Sequence, residues 1–360
     1  MTAIRAQLSR GVDWSRLVPL AMFVVIAGAT AVFLLVQLFN DPALFFQTLM
    51  KSLGLGAVYA IIALGFVLIF KATQTVNFAQ GALAMVGALF LSFMVADEHI
   101  PLTTIRNPLM EIGGPDWIAW ALSAIVALAF GAVLGLLIER LAIRPMIGKP
   151  LFSIAVITLG LEAFFRTFAN DSVKISFRSI NAPWGTGGFT VGDAFINWSY
   201  IAAIVTAIVC FLAVFVFFRT RTGVAMRAVA FDQEAAMAQG ISVARVFAMA
   251  WAAGMVLAAI GGIFATQPPV AQTGAVQVET QFIAFRALPA VILGGLDSVA
   301  GALVGGLIVG AAEIFAGQYA AGLTDQLGPG YPVIVPYIVM IIGLLVRPYG
   351  LFGTPEIRRV

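Results

Sequence analysis

The strongest constraint on the fold is residues 53–91, where two apolar runs are separated by a short polar break. A helix rises about 1.5 Å per residue, so a helical segment of this length would cross a hydrocarbon layer of ~30 Å roughly twice. The polar residues of the break are Lys71, Thr73, Gln74, Thr75, Asn77 and Gln80. This pattern predicts a helical hairpin in a membrane.

Small residues recur in both apolar runs, at positions where we expect the two helices to touch each other. They allow close backbone approach because no large side chain intervenes. These residues are Gly54, Gly56, Ala57, Ala60 and Ala63 in the first run, and Ala79, Gly81, Ala82, Ala84, Gly87 and Ala88 in the second.

Two amides, Asn77 and Gln80, stand at the start of the second run. Lipid offers an amide no hydrogen-bonding partner, so each must either cap the first helical turn or face a water-filled route. Both interpretations stay open from the residues alone, and Gln80 is a candidate for the route.

The overall composition agrees with a membrane protein. The chain of 360 residues is 61% hydrophobic and only 10% charged, with a mean hydropathy of +1.02, whereas soluble domains carry about 25% charged residues. A single cysteine, Cys210, excludes a disulfide within the chain and a site with several thiolate ligands. The one histidine, His99, is more typical of a solvated loop than of a metal site, and we expect no metal. No G-x-x-x-x-G-K-[ST] phosphate loop occurs, so we expect no nucleotide bound in that way.

The apolar runs and the basic residues together predict a topology of about eight to ten transmembrane helices with both termini in the cytoplasm. When the amino terminus is placed in the cytoplasm, most of the 20 Lys and Arg residues fall in cytoplasmic segments. The predicted outside loops hold only Arg106, Lys174 and Arg178. The candidate spans are residues 17–39, the two runs of the hairpin, 117–138, 151–169, 198–218, 246–266, 282–296, 299–316 and 331–346.

The hairpin also resembles a known family. The sequence GAVYAIIALGFVLIF, followed by VNFAQGALAMVGA, is similar to the permease subunit of ABC importers for branched-chain amino acids and related small polar solutes. The positions that carry the resemblance are Tyr59, Ala60, Ala63, Leu64 and Gly65, then Asn77, Phe78, Ala79 and Gly81. Residues 53–352 are covered by the resemblance.

A polar segment, residues 219–245, lies between two predicted spans, and its apolar residues alternate with charged ones. This pattern is typical of an amphipathic helix that docks on another protein or lies on anionic lipid. The resemblance favours a protein partner, because the family carries a Glu-Ala-Ala and Gly signature in a coupling helix that sits in a cleft of the ATPase subunit. The matching residues are Glu234, Ala235, Ala236 and Gly240. Arg227, Asp232 and Glu234 would then make charged contacts, and Gly240 would let the chain turn away.

Charged residues inside predicted spans are functional candidates by default. Glu162 and Arg166 lie four residues apart on one helix, so they share a face and can neutralise each other. We favour this internal pair over a role in binding the solute. A second pair, between Arg286 and Glu313, would join two neighbouring spans.

Two further polar residues have alternative roles. Thr158, like Gln80, could line an aqueous route through the membrane. Tyr59 could instead be an aromatic anchor at the membrane interface.

The resemblance implies one all-α permease domain over residues 1–360, with an amino-terminal extension and extra first helix in residues 1–42 and the coupling loop at 219–245. It also implies a second homologous permease subunit, two ATP-binding subunits that hold ATP and Mg, a periplasmic solute-binding protein and a bacterial inner membrane as surroundings. The solute would cross along the interface of the two permeases. We expect no cofactor in this chain, no covalent chemistry and no nucleic-acid partner.

Two alternatives remain at this point. The chain could be a stand-alone transporter that couples an ion to solute movement through Glu162, Arg166 or Glu313. A membrane enzyme would need a convergent nucleophile or metal set, which one histidine and one cysteine do not supply. The solute could be a branched-chain amino acid, urea, an amide or a carboxylate, because the loops at 97–116 and 170–197 are long for the family.

Overall fold

The computed structural model describes residues 14–97, 99, 106–108, 116–173 and 177–354. The basic residues before position 14 and those after position 354, on which part of the predicted topology rests, lie outside the described residues. The helices are α1 Trp14–Asn40, α2 Pro42–Thr73, α3 Gln80–Ala96, α4 Asp116–Ile138, α5 Leu151–Val173, α6 Trp198–Arg219, α7 Arg221–Phe231, α8 Gln233–Ala238, α9 Val243–Ala265, α10 Ile283–Gly294, α11 Val299–Tyr319, α12 Thr324–Leu327 and α13 Tyr331–Val346. A π-helical turn, Glu139–Ile143, and a 3-10 turn, Arg144–Met146, continue α4.

Among the described residues, six helices are long and apolar enough to cross a membrane. They are α2, α4 with its continuation to Met146, α5, α6, α9 and α11, and three shorter apolar helices accompany them. The prediction of a polytopic helical membrane protein is therefore confirmed. The orientation of the termini stays a prediction.

The predicted short span at residues 282–296 is built from two kinds of helix. A 3-10 helix, Val278–Phe282, leads directly into α10. The α-helical part alone would span only about 18 Å, which is too short for a ~30 Å layer, and the 3-10 turns add about 10 Å. A proline, Pro289, lies inside α10.

The central element is α2, which begins well before the predicted start at residue 53. Asp41 caps its first turn by accepting a hydrogen bond from the amide of Leu44 (2.9 Å), and Pro42 occupies the first helical position. In the most apolar 18-residue stretch of α2, 89% of the residues are buried. The helix packs chiefly against α11 and α9, and then against α6.

The expectation that the small residues of the hairpin face each other is wrong. The helices α2 and α3 make little direct contact, and α9 packs on both. Gly56 lies against Leu307 of α11, and a Cβ atom there would come within 2.9 Å of the Leu307 Cα. Gly87 of α3 faces Ala259 of α9. The small residues do allow close packing, but their partners are distant in sequence.

Within the described part of the chain, four short strands organise the loops, and the sequence analysis did not predict them. β1 (Arg178–Ser179) pairs antiparallel with β4 (Ala275–Val276), so two distant loops are joined. β2 (Gly188–Val191) and β3 (Ala194–Asn197) form a hairpin across Gly192 and Asp193. A Gly-Asp pair between alternating residues is a hairpin signal, so this element was recognisable in the sequence.

Candidate functional site

The segment between α6 and α9 folds into two helices rather than the single amphipathic helix that we expected. α7 ends at Phe231, and Asp232 takes an extended conformation with φ −158°. Its carboxylate accepts a hydrogen bond from the amide of Ala235 (2.9 Å) and so caps α8. Asp232 therefore breaks the segment and starts its second helix, which gives this residue a structural role in addition to any contact with a partner.

The Glu-Ala-Ala and Gly signature forms one compact turn. Gly240 has φ +78°, a left-handed conformation that glycine adopts without strain. Its amide donates to the carbonyl of Met237 (2.9 Å), and the amide of Ile241 donates to the carbonyl of Ala236 (3.0 Å). These two bonds define a Schellman motif, which ends the helix and redirects the chain. The predicted turning role of Gly240 agrees with this geometry.

The two helices, which we call the α7–α8 segment, present a mixed surface. Ala236 is buried against the rest of the protein, whereas Glu234 and Ala235 are exposed. The Phe231 side chain, at the end of α7, is 93% exposed. Arg227 donates to the carbonyl of Phe218 (2.6 Å), so one arm of its guanidinium group holds the segment to α6. The α7–α8 segment thus exposes one carboxylate and one large apolar side chain.

A cleft of about 800 Å³ lies beside the α7–α8 segment. It is lined by Phe70, Lys71, Gln74, Arg227, Ala230, Phe231, Ile292, Leu296, Asp297, Leu344, Pro348, Tyr349 and Thr354. Residues of α7 thus share one cleft with the last turn of α2 and with the turn between α10 and α11. α7 also packs directly against α2, α6 and α9, so a displacement of α7 would act on these helices by contact.

The second half of the polar break before α3 forms a hydrogen-bonded network inside the protein. The Asn77 side chain accepts a hydrogen bond from the amide of Ala79 (3.1 Å) and donates to the side-chain oxygen of Gln80 (3.0 Å). Thr158 of α5 accepts a hydrogen bond from the amide of Phe78 (3.2 Å). Both amides are fully or almost fully buried. Asn77 thus orders the turn that precedes α3 rather than capping the helix, whose N-cap residue is Ala79 without a side-chain cap. Thr158 ties α5 to the break.

Gln80 has one polar atom left over. Its side-chain nitrogen is buried and has no hydrogen-bonding partner among the described residues. The nitrogen lies directly over Gly65 of α2, where a Cβ atom would collide with it. Gly81, the next residue, lies against the carbonyl of Gln281 in the 3-10 helix. Gly65 therefore leaves room for this buried amide, and Gly81 allows α3 to approach the 3-10 helix closely.

A buried cluster of Tyr59, Arg286 and Glu313 joins three helices. The Tyr59 hydroxyl donates to one Glu313 oxygen (2.6 Å), and the Arg286 guanidinium group forms an ion pair with the other oxygen. The predicted pair between Arg286 and Glu313 is therefore present. The anchor interpretation of Tyr59 is wrong, because its side chain has no exposed surface. The cluster fastens α2, α10 and α11 together.

The predicted pair between Glu162 and Arg166 is also present. The Arg166 Nε atom lies 3.1 Å from a Glu162 carboxylate oxygen, one helical turn away on α5. The two side chains are 47% and 22% exposed. The groups that an ion-coupled transporter would use are thus paired, Glu162 with Arg166 and Glu313 with Arg286.

The comparison with known families decides the class of the protein. The sequence model of the family described as branched-chain amino acid transport system, permease component, matches residues 48–344. The chain belongs to this family. The match includes α2, the polar break and the α7–α8 segment.

Curated relatives of the permease match it along most of their length. The high-affinity branched-chain amino acid transport system permease protein LivH of Escherichia coli (strain K12) is 29% identical over 323 residues, which are 88% of this chain and 98% of the relative. The corresponding protein BraD of Pseudomonas aeruginosa is 30% identical over 326 residues, with the same coverage. The fructose import permease protein FruF of Bifidobacterium longum is 24% identical over 349 residues, 94% of this chain and 89% of the relative.

Two ion pairs of the permease were not predicted from the sequence. Arg144 binds Glu139 with two hydrogen bonds (3.0 and 2.9 Å), and Glu139 is almost completely buried. Arg178 binds both oxygens of Asp97 (2.6 and 2.7 Å). The spacing of Glu139 and Arg144 was a usable local signal, whereas Asp97 and Arg178 are too far apart in sequence to give one. No group of three or more potential metal ligands occurs among the described residues.

Proposed function

We propose that this permease is the membrane subunit of an ATP-driven, binding-protein-dependent importer in the bacterial inner membrane. Its solute would be a branched-chain amino acid or a related small polar solute. The family match over residues 48–344 carries this proposal. The relatives named for branched-chain amino acids and for fructose both fall in the same range of small polar solutes.

The α7–α8 segment supplies the coupling surface in this proposal. Its two capped helices leave Glu234 and Phe231 exposed, while Arg227 and Ala236 attach the segment to the protein. A rigid two-helix unit transmits force better than a flexible loop, because its ends cannot move independently. Movement of an ATPase subunit would reach α2, α6 and α9, because α7 packs directly against these helices.

The partners follow from the same proposal. Two ATP-binding subunits would bind ATP and Mg, a second homologous permease would complete the solute route, and an external solute-binding protein would deliver the solute. The sequence contains no G-x-x-x-x-G-K-[ST] phosphate loop, which supports ATP binding on other chains. This permease would itself perform no covalent chemistry. Residues 1–42 would form an extension with an extra first helix on a single permease domain.

The coupling role predicts that Glu234→Arg abolishes association with the ATPase subunits. The side chain is exposed at the first turn of α8, so its substitution leaves the internal packing intact. The tagged protein should be purified from its native membrane in mild detergent, and co-purifying proteins identified by mass spectrometry. Asp325→Arg, a charge reversal on the short helix α12, is the matched control and should keep the ATPase subunits. Unchanged association of the Glu234 variant would refute the coupling role, and purification of the chain without any ATPase subunit would refute the importer.

A further inference from the structure

Three membrane helices, α4, α5 and α6, are poorly covered by the rest of the chain. In the most apolar 18-residue stretch of each helix, only 28%, 17% and 22% of the residues are buried, respectively. Such faces meet either lipid or another protein. The residues that they present distinguish the two cases, because a charged group is costly against lipid.

The face of α6 is suited to lipid. Its exposed residues are apolar, and they include Val205, Ile208, Val209, Leu212, Phe215 and Val216. No charged residue occurs in α6 before Arg219, its last residue. The exposed residues of α4 are likewise apolar between Asp116 and the end of the helix.

The face of α5 differs, because Glu162 and Arg166 lie in its middle. Glu162 is about 16 Å along a helix that begins at Leu151, close to the centre of a ~30 Å hydrocarbon layer. Arg166 lies about 22 Å along the same helix, nearer the far side of the layer, and a lone arginine there would extend toward that membrane surface. Here Arg166 instead points back one turn and binds Glu162, and both side chains remain partly exposed. The pair thus lies within the hydrocarbon layer, between its centre and its far side, at the surface of the chain.

A row of polar side chains reaches this surface from the interior. Thr158, Glu162 and Arg166 are spaced four residues apart, so they follow one flank of α5. Thr158 is buried and contacts the polar break at Phe78, whereas Glu162 is 22% and Arg166 47% exposed. The row runs from the buried side-chain amides of Asn77 and Gln80 to the exposed face of α5.

We propose that the flank of α5 with Leu159, Glu162 and Arg166 is covered by the second permease subunit, and that the polar row lines the solute route between the two subunits. This inference rests on the proposed function and adds which helix makes the contact. Charged groups inside a membrane almost always face a protein interior or a water-filled cavity. A permease partner provides both, because its own polar residues and the route between the subunits would replace lipid at the ion pair.

Photocrosslinking in native membranes tests the contact. Leu159→p-benzoylphenylalanine places the probe beside the ion pair, and Val209→p-benzoylphenylalanine places it at a similarly exposed position of α6. We expect the probe at 159 to form an adduct with a membrane protein that mass spectrometry identifies as a second permease of this family, at a yield at least tenfold above that from 209. Adducts of 159 with lipid alone, with the solute-binding protein, or at the same yield as 209 would overturn the proposal.

Thiol reactivity tests the route. In a Cys210→Ala background, Arg166→Cys should react with a charged, membrane-impermeant methanethiosulfonate at least tenfold faster than Val209→Cys, because thiolates form in water and not in lipid. Equal rates would overturn the claim that the row lines an aqueous route.

The same samples distinguish this proposal from the proposed function. Each tagged variant is also analysed for co-purifying ATPase subunits. ATPase subunits without an α5 adduct would refute the α5 contact and leave the importer intact. Absence of the ATPase subunits from the unmodified protein would refute the importer and this inference together.

Discussion

Single residues with a demanding geometry account for much of the local structure. Tyr59 and Glu313 show this within the membrane helices, because a buried carboxylate needs donors for both of its oxygens. Gly240 shows it in the α7–α8 segment, where the left-handed turn after α8 requires a residue without a Cβ atom.

Tyr59→Phe should destabilise the protein by about 1–3 kcal/mol, because Glu313 then keeps a buried oxygen without its donor. Thermal unfolding in detergent, followed by size-exclusion fluorescence, would measure the loss. Tyr349→Phe, at a half-exposed position near the carboxyl end, is the control and should have little effect. Equal unfolding temperatures for the Tyr59 variant and the parent would contradict the role of this hydrogen bond.

Gly240→Ala should weaken the end of α8 by about 1–2 kcal/mol, the cost of a left-handed conformation for a residue with a Cβ atom. Gly240→Asn should be milder, since asparagine tolerates this conformation better. Hydrogen exchange of the Gly240 and Ile241 amides would show faster exchange in the alanine variant. Gly322→Ala changes an exposed glycine with open space around it and should leave exchange in α8 unaltered. The same exchange rate in both Gly240 variants would argue against backbone strain as the cause.

At the scale of elements, the packing of α2 against α11 depends on small residues that face each other across long stretches of sequence. A Cβ atom at Gly306 would lie 2.6 Å from the Ala60 amide nitrogen, and Gly310 is packed against the backbone of Gly56. Backbone atoms cannot move aside as a flexible side chain can. The two helices must therefore separate if either glycine gains a side chain.

Gly306→Ala should consequently reduce the yield of folded protein and lower its unfolding temperature, with an overpacking cost of about 1–3 kcal/mol. Gly28→Ala in α1, where nothing lies within 4 Å of the added carbon, should behave like the parent. Size-exclusion chromatography of both variants in detergent gives the comparison. A monodisperse, fully stable Gly306 variant would show that α2 and α11 are less closely packed than described.

At the scale of the whole molecule, the distribution of basic residues predicts that the α7–α8 segment is cytoplasmic and that the β2–β3 hairpin is outside. Cysteines at two exposed positions test this in a Cys210→Ala background. Thr190→Cys should react with a membrane-impermeant maleimide in cells whose outer membrane alone is permeabilised. Gln239→Cys should react only after the inner membrane is opened. The reverse pattern would invert the topology.

The sequence by itself determined the class of the protein and most of its membrane helices. Apolar runs of this length have no other stable state than helices in a membrane, and the motif residues in α2, α3 and α8 identified the family before any contact was known. The ion pair of Glu162 and Arg166 was also predictable, because four residues along one helix bring two side chains together.

Only the tertiary structure decided which surfaces meet. The small residues of α2 and α3 predicted close packing correctly, yet their partners are α11 and α9 rather than each other. The hydrogen bond from Tyr59 to Glu313 and the ion pair of Asp97 with Arg178 likewise join residues far apart in the chain. The physical reason is that a periodic pattern describes the face of one helix, whereas the choice of a partner depends on the shapes and polar groups of every helix that competes for that face.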